Sequence, residues 1–317
     1  MTNCNSSTTF KGINNISQDL LLNILEANFK MYFDWAFLNI GAWFDTSIGS
    51  STIYGVNNPS TLLPVDDPSY VEGRVWQSIR KDWVWEQNIN YNSTSPLDIT
   101  SVRVNNTIVP KTNNFVINYP LGRIIFNTPK SLSSKVEAEY SYRFVQVHRS
   151  AESPWFNILQ YSSFNTANAD IQRSDDGEWA IGANHRIQLP AIVIESVPRS
   201  RSRPYEIGNN SLWLEQDIAF YVYAENKNDR NKLLDIIRLQ QDNTIELYDT
   251  NLLAQNDGFP LDYNGDLKNS PLMYPNIVQT YNWRKCFIKN ISLFEMDSLH
   301  SNFHQGAARA TVEIISA

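Results

Sequence analysis

The sequence predicts an α+β protein in which an N-terminal helix leads into an all-β module and then into a mixed domain of strands and one further helix. Three observations predict it. Apolar residues recur at helical spacing between Ser17 and Gly41, and they alternate with polar ones from Val71 to about Arg149. Beyond Leu189, strand-like runs are interrupted by one well-capped helix. The 317 residues suffice for two domains of ordinary size. They divide into residues 1–70, a polar tail, a helix packing on the C-terminal domain and a loop arm; 71–149, an inserted antiparallel β-sandwich or barrel; 150–188, a junction; and 189–317, the α+β domain.

The first helix is expected to begin at Ser17-Gln18-Asp19, with an N-cap hydroxyl and an acid in the first turn. Leu21, Leu25, Phe29, Tyr32 or Phe33, Ala36 and Ile40 then follow one face as far as Gly41. Leu22, Trp35 and Phe37 widen that face, which predicts packing on two surfaces, its own domain and a neighbour. Gly49 to Pro68, rich in Ser, Asn, Pro and Gly, reads as a long loop. Its length makes it a functional arm or an ordered interface loop.

Within the β-module, Asp82 to Glu86 reads as a strand, and Val102 to Val109 as a hairpin turning on Asn105-Asn106. Phe115–Tyr119 faces Arg123–Phe126 across Pro120-Leu121-Gly122. Val136 to Phe144 alternates cleanly and continues to Val147. The polar stretch from Ser150 to Asn184 is a junction interrupted by Pro154–Leu159. After it, Leu189–Glu195, Asp217–Ala224, Thr244–Tyr248, Cys286–Phe294 and Ala310–Ile315 read as strands, and Asn228-Asp229 caps a helix carrying Leu233, Leu234, Ile236 and Ile237.

Composition narrows the function. A formal net charge of -7 argues against whole-chain attraction to nucleic acid. No apolar run reaches the ~20 residues that span a bilayer, and Met1 to Gly12 lacks the pattern of a signal peptide. Cys4 and Cys286 lie near opposite ends, which fits folding in a reducing cytoplasm.

No catalytic or cofactor constellation emerges. The chain has no nucleophile elbow, no phosphate-binding glycine loop and no Cys-x-x-Cys. His300 and His304 would share a helix face, but their neighbours read as loop, and no third metal ligand stands beside them; His148 and His185 stand apart. Asp262 to Asp266 begins like a calcium loop, yet Leu267 and Met273 occupy the glycine and closing glutamate positions, so an Asx turn is expected. Asp175-Asp176-Gly177-Glu178 reads as a solvated turn. Trp76, Trp83 and Trp85 raise a sugar-stacking platform, against which stands a place in the core or a subunit interface. Arg199-Ser200-Arg201-Ser202-Arg203-Pro204 is the sharpest charge feature: alternate arginines on an extended segment project to one side, suited to a partner's carboxylates or to phosphates.

The helix Ser17–Gly41, the strand Leu189–Glu195, the strand Ile218–Glu225 and the capped helix Asp229–Ile237 together resemble the tail-terminator proteins of tailed bacteriophages. The wider chain, including Val75-Trp76 and Arg80–Glu86, is similar to virion structural proteins of cyanophages. The resemblance implies a non-enzymatic virion protein without metal or cofactor, assembled in the host cytoplasm. It implies a homo-oligomeric ring, a hexamer, that caps the tail tube and meets the head-side connector, with sheath protein as a further neighbour and DNA only passing through the lumen. A head–tail connector or stopper, or a glycan-binding tail protein, are the alternatives. Trp35, Phe37, Trp43, Arg199, Arg201 and Arg203 are the candidate interface residues, and the β-module is an addition that a minimal terminator lacks.

Overall fold

The computed structural model describes residue 13 and residues 15–49, 58–161, 171–174, 178–182, 185–205 and 212–316. Most of the polar tail with Cys4, residues 50–57 of the Gly49–Pro68 arm and Asp175-Asp176-Gly177 lie outside them. The fold is mixed α+β, as its residue patterns predict.

Helix α1 (Leu21–Asn39) starts four residues later than its expected cap, with Leu20 at the N-cap and no side-chain cap. Asp19 instead gives its backbone N–H to the Asn251 side chain, which pins the entry to a distant helix. The chain continues through β1 (Trp43–Thr46), β2 (Thr61–Pro64), β3 (Val75–Gln77), β4 (Ser101–Val104), β5 (Thr107–Pro110), β6 (Phe115–Asn118), β7 (Arg123–Phe126) and β8 (Val136–Ala138). Seven of these form one antiparallel sheet in the order β5-β4-β8-β2-β3-β7-β6. The sheet curls, so that Val102 and Val136 from one half pack with Trp76, Phe115, Ile124 and Phe126 from the other in a shared core. Strand β2 lies inside the expected arm and joins the two halves. Asn105 and Asn106 both take positive φ, 49° and 66°, as a two-residue hairpin turn requires.

Two readings of the module need correction. Asp82–Glu86 is not a strand: Asp82 has φ 50°, and only Trp83 makes a bridge, to Tyr142. The alternating run from Val136 is three strands in three different sheets. Strand β8 stays in the module, β9 (Tyr140–Arg143) pairs with β1, and β10 (Gln146–Arg149) crosses to the C-terminal sheet. Alternation records which side chains are buried and is blind to which strand pairs with which.

The junction is a small folded layer. A single 3-10 turn (Ser150–Glu152) and helix α2 (Pro154–Tyr161) precede β11 (Ile171–Arg173), β12 (Trp179–Ile181) and β13 (His185–Ile187), a three-stranded meander. Trp155, Phe156, Trp179 and Ile187 pack with Ala191, Val193, Tyr223 and Phe303.

The remaining elements are β14 (Ala191–Pro204), β15 (Leu212–Ala224), α3 (Lys227–Arg238), β16 (Thr244–Tyr248), α4 (Thr250–Gln255), α5 (Asn276–Thr280), β17 (Asn282–Glu295) and β18 (His304–Ser316). With β10 they make a six-stranded sheet, β10-β14-β15-β18-β17-β16, parallel only between β10 and β14. Helix α3 is capped by Asn226 rather than by the expected Asn228-Asp229, which lie inside its first turn; Asn226 Oδ1 accepts from the Asp229 N–H at 2.8 Å. Helices α1 and α3 cover one face of the sheet, burying Leu25, Phe29, Phe33 and Phe37 with Phe220, Leu234 and Ile237.

The wide apolar face of α1 is used within the chain. Ala27 and Met31 pack on Tyr248, Leu253, Ile277 and Val278, and Trp35 packs on Leu38, Val84 and Ile89. The module is fastened at the crossover by Arg143, which reaches Glu86 at 2.5 Å and stands 3.5 Å from Asp34. The Asp262–Asp266 turn fastens it from the other side. Asp262 Oδ1 accepts from the N–H groups of Asn264 and Asp266, the expected Asx turn. Asp266 then pairs with Lys111 at 2.7 Å.

Candidate functional site

The second face of the main sheet is covered only in part. The junction layer lies over Ala191, Val193, Tyr221 and Tyr223, and the sheet runs on beyond it. In β14 the pattern from Ala191 to Ile194 is fully buried, whereas every residue from Pro198 to Pro204 is exposed. In β15, Leu212–Glu215 are half-buried before the core begins at Gln216. The chain folds this way because the apolar alternation ends at Val197, where a register shift to Ser200 marks a bulge.

The candidate site is this uncovered half-sheet. Arg199, Arg201, Glu215, Asp217, Asn290, Ser292, Phe294, Arg309 and Thr311 line a shallow groove of 250 Å³ on it. Register brings the groups together: Arg201 faces Glu215, Glu215 faces Glu313, and Asp217 faces Thr311. The charges form a lattice. Lys289 holds Glu313 at 2.7 Å and Glu215 at 3.3 Å, and Arg201 reaches Glu215 at 4.0 Å. Asp217 accepts from Thr311 Oγ1 at 2.7 Å and pairs with Arg309. Burial pushes the Asp217 carboxyl up, but the hydrogen bonds from Arg309 and Thr311 outweigh it and hold the pKa below the usual range. The hydrogen bonds that Lys289 donates to Glu313 and Glu215 raise the pKa of its ammonium. The lattice offers ion pairs and hydrogen bonds to a partner surface, and no histidine or cysteine lines the groove.

The six expected interface residues divide in two. Arg199, Arg201 and Arg203 stand together on the extended strand β14, and all three are exposed. Arg203 lies over the Trp213 ring at 4.6 Å. Phe37 is 4% exposed and packs in the main core, so it has no surface to offer a partner. Trp35 and Trp43 are half-buried against the chain's own residues. Trp35 lies 5.3 Å from the Tyr274 ring and Trp43 6.4 Å from the Tyr91 ring. The helix is amphipathic toward three parts of one chain, and spacing alone does not say how many.

The other sequence features are placed as follows. Trp76 and Trp83 are core residues, Trp83 stacked on Tyr140 at 4.3 Å, so they form no exposed sugar platform. His304 opens β18 and meets Ser298 at 2.8 Å, while His300 lies in the preceding turn, so no helix aligns them. No group of three or more metal-ligating side chains exists among the described residues.

Sequence reasoning missed Glu215, Asp217, Arg309, Thr311 and Glu313. Their alternation within β15 and β18 was visible, but their convergence depends on a pairing between strands about 90 residues apart. No protein-family profile and no curated protein matches the chain.

Proposed function

We propose that this chain is a structural component of the neck of a tailed phage, whose copies close into a ring that terminates the tail tube and joins it to the head-side connector. One observation carries the reading. The outer edge of β14 is paired by β10 only from Ala191 to Ile194, so the arginine-bearing half of a 14-residue strand has no strand partner on that side among the described residues. An edge of that length invites another chain, and its charges and bulge restrict which chain can pair. Together with the uncovered half-sheet it forms a directional surface, the kind a head-to-tail ring requires. The resemblance of Leu189–Glu195, Ile218–Glu225 and Asp229–Ile237 to tail terminators supports the virion setting.

The test is assembly. Mass photometry and negative-stain microscopy should find closed rings, and rings mixed with tail tubes should cap tube ends. Binding to connector in place of tubes would assign the stopper role. A protein that stays monomeric with both would overturn the reading. Arg201→Glu with Arg203→Glu should abolish rings with little loss of stability, because Arg201 is 72% exposed and its ion pair with Glu215 is long, at 4.0 Å. Unchanged rings would remove this edge from the interface.

A further inference from the structure

A second constellation lies away from the assembly face. Between α1, β10, α4 and the 82–86 turn of the module is a half-enclosed cavity of 420 Å³. One wall is apolar and aromatic, with Met31, Leu253, Leu261, and the rings of Trp85 and Phe259 at 6.3 Å. The other is charged, with five carboxylates against three cations.

Each cation has an ion-pair partner, although the Nε atoms of Arg143 and Arg149 donate no hydrogen bond. Arg143 donates to Glu86 at 2.5 Å and to the Trp83 carbonyl at 2.8 Å. Lys30 holds Glu152 at 2.9 Å, and Arg149 lies 3.4 Å from Glu152 and 3.6 Å from Glu26. The acceptors are not all engaged. Asp34 Oδ1 is buried and accepts no hydrogen bond, with Arg143 Nε no closer than 3.5 Å. Asp82 adds a second carboxylate that has no ion pair among the described residues. Thr250, nine-tenths buried, leaves its Oγ1 without a partner in the same wall. Unsatisfied buried acceptors are costly, more so when charged, and a donor in the cavity would relieve them.

We propose that this cavity binds a small organic cation, a primary ammonium on a short aliphatic chain, with Asp34 and Asp82 taking the ammonium, Thr250 as a further acceptor, and the chain lying on Met31, Trp85 and Phe259. An anion would meet five carboxylates against three cations that each already hold an ion-pair partner, and a purely apolar guest would leave Asp34 and Thr250 unsatisfied. The aromatic wall favours a cation with an apolar body. The ammonium can belong to a free amine or to a lysine side chain of a partner.

Burial raises the Asp34 pKa to about 7 against the pull of Arg143 and Lys30, with Glu86 and Asp82 adding to the rise. Other titratable groups of the cavity are Asp19, Arg149, Glu152, Tyr248, whose phenol burial pushes up, and His148, held below its usual pKa by burial. Cation binding needs ionised Asp34, so affinity should rise as pH passes upward through 7.

Calorimetric titration of the whole chain with n-butylammonium should give a Kd on the order of 1 mM at pH 8, and butyrate should not bind. Affinity should fall roughly tenfold in Asp34→Asn and in Asp82→Asn, and about threefold in Thr250→Val. Should Asp34→Asn fail to fold, the other two variants decide. A lysine tripeptide binding more tightly than butylammonium would assign the site to a partner's side chain; the reverse order would assign it to a free amine. No saturation by butylammonium, equal binding of butyrate, or folded variants that bind like the wild type would overturn the proposal. These outcomes are independent of ring formation.

Discussion

Arg143 shows how one side chain can carry a junction between two units. It is 7% exposed, its partner Glu86 is 4% exposed, and the ion pair sits where β9 hands the chain to β10. Removing one charge strands the other in a low-dielectric setting. Glu86→Gln is expected to cost about 3–5 kcal/mol, read as a shift in the urea midpoint at constant m. Asp34 should behave oppositely. Its folded pKa lies near 7, above the ~3.9 of an unfolded aspartate. Below about pH 4 both states are protonated and nothing is lost; as pH rises from 4 to 7 the unfolded state ionises more readily and stability falls. Asp34→Asn should therefore match the wild type near pH 4 and exceed it by about 2–4 kcal/mol at pH 8, measured by denaturant unfolding at both pH values. The sequence marks neither residue, since both look like ordinary surface charges until the crossover buries them.

At the scale of elements, α1 is the piece that joins the cores. Its buried Asn28 lends the edge strand β16 a substitute partner, accepting from the Tyr248 N–H at 2.8 Å and donating to the Tyr248 carbonyl at 3.0 Å. Asn28→Leu should leave both backbone groups unsatisfied, at about 1–3 kcal/mol for each, and speed hydrogen exchange at Tyr248. The turn after β6 rests on Gly122, at φ 62°, where a Cβ would meet the Arg80 carbonyl oxygen. Gly122→Ala is expected to cost about 1–3 kcal/mol by thermal unfolding. This turn was legible from Pro120-Leu121-Gly122, and the β4–β5 hairpin from Asn105-Asn106, because turn chemistry is local. The strand expected at Asp82–Glu86 was not: Trp83 and Trp85 imitate a pleated face, but Trp83 is buried by stacking on Tyr140 rather than by a ladder.

For the whole molecule, the β-module is not separable where its sequence pattern ends. Leu261 sits in its core, Gly265 accepts the Tyr119 N–H through its carbonyl, and β2 joins the halves of its sheet from outside residues 71–149. A fragment of residues 71–149 should lack a cooperative thermal transition and near-ultraviolet circular dichroism, while residues 15–316, which keep α1 in the main core, should retain both. The same interlocking leaves the uncovered half of the main sheet as the one broad face where assembly has been proposed.

By itself the sequence determined the α+β class, the run of α1, the local hairpins, the presence of α3 and the alternating arginines of β14, since each follows from contacts within a few residues. Only the tertiary structure decided that Phe37 is core, that the run from Val136 serves three sheets, and that Asp217 meets Arg309 and Thr311 while Arg143 meets Asp34 and Glu86. The physical reason is the range of the interaction. Periodicity and turn chemistry report on neighbours along the chain, whereas register, burial of charge and the shape of a cavity are set by segments about 60 to 100 residues apart.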